Sequence, residues 1–245
     1  MSTLKNLRAE DVAGFGNYKL TFHMQSPIML GHPWLALDGI LAHLINRELR
    51  GQDYWTLPSK EPVHAANPQN VMPLFKTRFL GQGDLYHASV AWFDCDEAST
   101  ATVYKRFDES RSHLIDTQKA KIDIGRGHFK AYAMRLPYVP ARTATFYMRG
   151  NLMTALSLLS HLPGLGKKVA YGYGMIRNVS VEETSEDFSL VKDGVAMRPL
   201  PLFYADSNEK MMLAWKQPYW ARENVDACVP PGAKVSWISE PAKAS

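Results

Sequence analysis

Residues 161–181, HLPGLGKKVAYGYGMIRNVSV, combine four glycines with two lysines. These residue types can hold phosphate, because a chain without side chains presents its amides and an ammonium group supplies charge. A P-loop needs a glycine, four residues and then Gly-Lys-Ser/Thr. Here Gly164-Leu165-Gly166-Lys167-Lys168-Val169 has another spacing and no hydroxyl for magnesium. The dinucleotide fingerprint G-x-G-x-x-G must open a helix after a strand, whereas this run lacks the third glycine and follows a segment with helical periodicity. Phosphate binding at a helix N-terminus is thereby excluded, and an anion here would rest on loop amides and on Lys167 and Lys168. Taken alone, a tight helix-to-strand connection with two solvated lysines is the simpler reading.

Other chemistry has less footing. Asp94-Cys95-Asp96-Glu97 offers carboxylates of the kind that bind magnesium, yet a polar turn at a strand end accounts for the same residues. Asp38, within ALDGIL, suits a helix start whose amides it satisfies. No G-x-S-x-G, H-E-x-x-H or C-x-x-C occurs, so hydrolase and zinc readings lack support, and neither a metal nor a cofactor is expected. Cys95 and Cys228 stand far apart and suggest no disulfide framework, which points to a reducing cytoplasm. Acidic residues by position 10 argue against an export signal. The longest apolar stretch, 28–45, is interrupted by Gly31, Pro33, Asp38 and His43, so no membrane span is expected.

The net charge of +4 is spread unevenly over the 245 residues. Residues 1–123 hold 13 Lys/Arg against 14 Asp/Glu and residues 182–245 hold 7 against 10, while residues 124–181 hold 8 against none. Those eight are Arg126, Lys130, Arg135, Arg142, Arg149, Lys167, Lys168 and Arg177, interleaved with Phe129, Tyr132, Tyr138, Phe146, Tyr147, Tyr171 and Tyr173. Positive potential mixed with ring faces favours a nucleic-acid partner over a bare solvated face.

The elements that must position these groups follow from periodicity. Tyr18, Leu20, Phe22 and Met24 alternate with polar residues and predict a strand over 18–24. Leu37, Ile40, Leu41, Leu44 and Ile45 predict a helix over 34–50. Residues 51–70 read as a loop, followed by short strands over 71–80 and 86–93. Residues 94–127 are polar and poorly periodic and read as an insertion, an extended hairpin or thumb. Strands are expected over 128–139 and 141–149, joined at Pro140. Asn151 then caps a helix with a stripe at Leu152, Ala155, Leu156, Leu159 and Leu162, ended by Pro163-Gly164. A strand over 169–181 and a hairpin around Lys192-Asp193-Gly194 complete the reading. The class is α+β: a ferredoxin-like (RRM-like) βαββαβ core with an antiparallel sheet, a long central insertion and a C-terminal β-rich extension. The core is expected over 1–182, with the glycine loop at 163–174 and the insertion at about 94–127. The extension, 183–245, is expected to pack on the same core.

A resemblance enters at these motifs. The glycine run after the second helix looks like the C-terminal glycine-rich loop of the CRISPR-associated RAMP superfamily. Together, WLALDGILAHLI, GKKVAYGYGMI, MRPLPLF and QPYWARENVDACVPPG resemble the type IV effector subunit that corresponds to the one gripping the guide RNA 5′ handle. The resemblance touches both ends of the chain but not residues 51–125. It implies a protein that binds the repeat-derived 5′ end of a guide RNA (crRNA) and caps a filament of backbone subunits in a complex with a large subunit. It also implies a place beside the site where target DNA is tested for its flanking motif. By the same resemblance Gly164, Gly166, Lys167, Lys168, Gly172 and Gly174 contact RNA. Tyr171, Tyr173, Arg177, Arg149, Arg142, Lys130 and Arg126 join them as RNA-binding candidates from the basic, aromatic stretch.

Compared with the RNP1 consensus, Tyr171 replaces the basic residue and Met175 the second aromatic, so RRM-style stacking is not expected. Some RAMP proteins cut repeat RNA without metal, which requires a base, an acid and a cation. His43, off the apolar stripe of the first helix, is the candidate base, and His128 is a second; a boundary histidine is the plainer account of each. Three readings therefore stand: a non-catalytic guide-RNA-binding subunit, which is favoured, a metal-independent endoribonuclease, and a structural interaction protein without RNA binding.

Overall fold

The computed structural model describes residues 15–56, 72–95, 97–114, 122–127 and 129–238. The N-terminal segment, residues 57–70 of the loop expected over 51–70, Val71 of the strand expected over 71–80, His128, and Asp96 and 115–121 of the insertion lie outside the described residues, as do 239–245.

Strand β1 (Phe15–Met24) buries Leu20, Phe22 and Met24 and turns Lys19, Thr21 and His23 to the other face, the period of two expected of it. After β2 (Ile28–Met29) comes α1 (Leu37–Arg50). The helix begins at Leu37 rather than at 34 because the preceding residues pair with a neighbouring segment. Leu35 accepts the Ala91 N–H at 2.8 Å, and Ala36 bridges to Val90. A hairpin of β3 (Lys76–Phe79) and β4 (Gly83–Tyr86) and the two-residue β5 (Trp92–Phe93) follow. Next are β6 (Ser99–Lys105), β7 (Tyr132–Val139), β8 (Thr143–Asn151), α2 (Leu152–Leu159) and β9 (Ile176–Glu183).

The principal sheet runs β5–β8–β1–β9, and every pairing in it is antiparallel. Leu20, Phe22, Ala144, Phe146 and Met148 form one side of the main core; Leu37, Leu41, Ile45, Ala155 and Leu158 of the two helices join it. At roughly 25 cal/mol per Å² of apolar surface, this burial is what holds both helices on one face. The protein is thus a mixed α/β fold with antiparallel sheets and few helices.

Two strand expectations need correction. β7 and β8 do not pair: β7 sits between β2 and β6 in a second sheet, and the chain crosses between sheets at residues 140–142. The strands between the two helices that join the principal sheet are β5 and β8, with the β6–β7 hairpin between them in sequence. The poorly periodic insertion is therefore partly regular, an arm whose ladder runs from Ser99↔Tyr138 to Lys105↔Tyr132. Its low periodicity reflects shallow burial, since only Val103 of β6 is buried. The strand expected from 169 begins at Ile176, because Val169–Tyr171 coil into a 3-10 turn.

Beyond β9, β10 (Val191–Lys192) and β11 (Val195–Ala196) form the expected hairpin. Its turn residues Asp193 and Gly194 have φ of 52° and 73°, the left-handed pair such a turn requires. Short strands β12 (Leu200–Pro201), β13 (Ala205–Asp206), β14 (Met211–Ala214), β15 (Val225–Val229) and β16 (Trp237–Ile238) complete the described residues. They surround a second hydrophobic cluster that includes Leu200, Trp215, Cys228 and Val229 together with Leu85 of β4.

A buried polar network binds this extension to α1. Arg198 donates to Asp38 Oδ2 at 3.2 Å, to the carbonyls of Trp215 at 2.7 Å and Ala88 at 3.1 Å, and to that of Tyr86. The Tyr219 hydroxyl donates to Asp38 Oδ1 at 2.7 Å, and Gln217 donates to the Asp38 carbonyl. Asp38 also accepts the Gly39 N–H at 3.0 Å, the helix-start role expected of it, but its main partners come from far along the chain. Burial pushes the Tyr219 phenol well above its ordinary pKa, so it stays a donor.

Candidate nucleic-acid interface

The glycine loop is prepared by its flanks. Asn151 Oδ1 accepts the Thr154 N–H at 3.0 Å and starts α2 as expected, and the helix stops at Leu159. The chain then folds back on residues 26–29. Lys167 N–H reaches the Met29 carbonyl at 2.7 Å, Gly174 N–H the Pro27 carbonyl at 2.8 Å, and Met175 N–H the Ser26 Oγ at 2.9 Å. Leu165 N–H reaches the Gly174 carbonyl at 2.9 Å, while Tyr171 and Gly172 close the 3-10 turn.

A Cβ on Gly166 would overlap the Met29 carbonyl, one on Gly174 the Leu165 carbonyl, and one on Gly164 the Gly174 carbonyl. Three of the four glycines therefore admit the protein's own backbone; only Gly172, at φ 88°, faces open space. This narrows the expected amide cradle, because the amides of Leu165, Lys167, Tyr171, Gly172, Gly174 and Met175 are engaged within the protein. The side chains of Lys167 and Tyr171 are exposed on the loop.

Lys167 is exposed, and its side chain lies across Gly31. Lys168 adopts a left-handed φ of 60°, which aims it at the arm. Its ammonium donates to the Tyr132 hydroxyl at 2.8 Å and lies 5.0 Å from the Tyr132 ring and 5.3 Å from the Tyr171 ring. That hydrogen bond from Lys168 is the chief cause of a lowered Tyr132 pKa, and Lys105 on β6 adds to it. Tyr171 is 54% exposed, whereas Tyr173 packs with Met29, Val103 and Leu136, its ring 6.4 Å from that of Tyr138.

The remaining cations are divided. Arg142 and Arg177 are exposed at the end of the sheet where Met24 N–H bonds the Arg142 carbonyl and Met24 pairs with Ile176. The glycine loop returns to this same end, since Gln25 N–H bonds the Met175 carbonyl at 2.7 Å. Arg149 is not brought there. It lies seven residues along β8, a distance of about 23 Å at strand rise, with its guanidinium 4.0 Å over the Phe75 ring. Arg126, beyond the tip of the arm's ladder, is paired with Asp123 at 2.7 Å, a carboxylate one residue outside the acid-free stretch. Lys130 is exposed in the same region, its N–H on the Gly127 carbonyl at 3.2 Å.

Asp94 Oδ1 accepts the Arg142 and Thr143 N–H groups at 2.9 and 3.1 Å, which supports the polar-turn reading of that residue. Among the described residues no three His, Cys, Asp or Glu side chains form a group able to hold a metal ion, and no helix is long and apolar enough to cross a membrane. Sequence reasoning missed Lys105 as a member of the cationic cluster. Its place opposite Tyr132 in the ladder gives that away only once the arm is paired.

His43 Nδ1 lies 2.9 Å from the Tyr54 hydroxyl. Burial, and then the charge of Arg47, hold its pKa below the usual histidine value, so the ring is neutral near pH 7. It shares a groove with Lys167.

The fold and this site describe an antiparallel α/β protein with a basic loop docked on an aromatic-edged arm. The chain belongs to the family of the CRISPR type IV associated protein Csf3, whose family model matches residues 84–231. It is also similar to the mitochondrial exoribonuclease II of Schizosaccharomyces pombe, at 25% identity over 185 residues. That match takes in 72% of this chain but only 18% of the exoribonuclease's length. Among solved structures it is similar to a chain of the type III-B Cmr-beta complex bound to cognate target RNA, with a TM-score of 0.34 and 11% identity. That match covers 70% of this chain and 62% of the other.

Proposed function

We propose that this subunit binds the repeat-derived 5′ handle of a guide RNA without cutting it. It caps a row of backbone subunits beside a large subunit, near the target DNA, in the cytoplasm. In this reading the principal sheet and its two helices are a ferredoxin-like unit of the RAMP kind, with the β6–β7 arm as its insertion. The observation that carries the proposal is the meeting of Lys168 with the tyrosine edge of the arm, with exposed Lys167 next to it in the loop. The Lys168 ammonium, Lys105 and an exposed Tyr171 ring lie together around Tyr132, and Lys168, Tyr171 and Tyr132 all belong to the segment free of acids. Phosphate charge and base faces are what such a surface suits.

The test is binding of a 5′-handle oligonucleotide to the full chain over a salt series. Each phosphate contact contributes a slope of about −0.7, so the Lys167→Ala/Lys168→Ala variant loses affinity and has a flatter slope. Unchanged affinity and slope in that variant overturn the proposal, and no measurable affinity in the wild type supports a purely structural role.

A metal-independent endoribonuclease is the second reading, favoured by a neutral His43 in the same groove as Lys167. Cleavage of labelled repeat RNA in EDTA, abolished by His43→Ala, would establish it.

A further inference from the structure

Between α1, the glycine loop and the C-terminal extension runs a groove of about 620 Å³, within the roughly 300–1,000 Å³ range of small-ligand sites. Its floor is one face of α1, where Gly39, Ile40 and His43 recur at spacings of one, three and four. Gly39 keeps the floor low, since a Cβ there would come within 3.3 Å of the Tyr219 ring. Trp34 and Trp220 stand at the walls, and Lys167 lies beside them. Trp220 is 61% exposed and belongs to neither of the two large hydrophobic clusters, so core packing does not account for it. His43 presents a neutral imidazole whose Nδ1 is engaged by Tyr54, leaving Nε2.

We infer that this groove receives one unstacked nucleobase of the RNA, its ring face against Trp220 and its polar edge toward His43. The inference rests on the RNA-binding reading above and deepens it. Aromatic and apolar walls with few polar groups are what base stacking uses. Lys167 lines both the loop surface and the groove, so a nucleotide whose phosphate meets that ammonium has its base beside the opening. The site draws on α1 and the extension, which the Asp38–Arg198 pair joins, and on the loop, which its amides tie to Pro27 and Met29. A base is therefore met by a preformed surface.

The experiment titrates the full chain with a 5′-handle RNA and with a set of the same RNA carrying one abasic position at a time. Three forms are compared: wild type, Trp220→Ala and Trp220→Phe. The expected result is one abasic position that weakens wild-type binding roughly tenfold and has little further effect on Trp220→Ala. Trp220→Ala binds the intact RNA roughly tenfold more weakly, and Trp220→Phe keeps most of the affinity because it keeps a ring. Because Trp220 is exposed, neither substitution opens the core, and an unchanged melting transition checks this.

An abasic series that is flat on the wild type overturns the inference, as does a Trp220→Ala loss equal for every RNA. An apolar side chain of a neighbouring subunit as the groove's true occupant would give that flat series. If the salt dependence on Lys167 and Lys168 persists in such a result, RNA binding stands without the groove. If the wild type binds no RNA, both readings fall.

Discussion

Arg198 Nη2 lies 3.2 Å from Asp38 Oδ2 with both side chains closed to water, at 1% and 0% exposure. The contact joins α1 to the C-terminal extension across 160 positions. Three of the stretches that carried the family resemblance meet here: Asp38 from WLALDGILAHLI, Arg198 from MRPLPLF, and Tyr219 from QPYWARENVDACVPPG. Their shared work is structural, since a buried charge is tolerable only when paired and hydrogen-bonded.

Removing one partner strands the other. Arg198→Met should cost about 3–5 kcal/mol, read as a lowered urea midpoint. Asp38→Leu/Arg198→Met should recover only part, because the carbonyls of Tyr86, Ala88 and Trp215 also lose their donor. A single variant as stable as the wild type contradicts this account.

The loop glycines should respond unequally to alanine. Gly172 has φ 88° and open space around it, so Gly172→Ala should cost about 1–2 kcal/mol from backbone conformation alone. Gly174, at φ 66°, also faces the Leu165 carbonyl, and Gly174→Ala should cost more. Thermal melts of the two variants compare them directly; equal losses would show that the Leu165 contact has no weight.

His43 predicts an acid-sensitive term in stability. Its folded pKa lies below the unfolded value near 6.5, so the unfolded chain binds the proton more readily. The destabilisation is absent well above pH 6.5, grows as the pH falls through that value, and levels off below the folded pKa. His43→Gln should therefore show a shallower loss of melting temperature between about pH 7 and pH 5. Parallel pH profiles for the two proteins would remove His43 as the source.

The two thiols should differ in reactivity. Cys228 is fully buried and its pKa is pushed up to about 12, chiefly by that burial, whereas Cys95 is half-buried. A thiol-specific reagent should label Cys95 in the folded protein and Cys228 only after unfolding, as mass spectrometry of digests would report. Labelling of Cys228 under native conditions would contradict the tight second core.

By itself the sequence determined the features that depend on neighbours within a few residues. The alternation of β1, the apolar stripe of α1, the Asn151 cap and the Asp193-Gly194 turn all follow from local periodicity or local backbone preference. It also set the acid-free run of cations, which is a matter of composition. Tertiary structure alone decided that β7 pairs with β6 and β2 rather than β8, that Arg149 lies apart from Lys167, and that Asp38 meets Arg198. It likewise brought three loop glycines into backbone contact within the protein. The reason is physical. A pairing or close approach between distant residues is set by the competition of many burial and hydrogen-bonding options over the whole chain, and no short window of residues contains both partners.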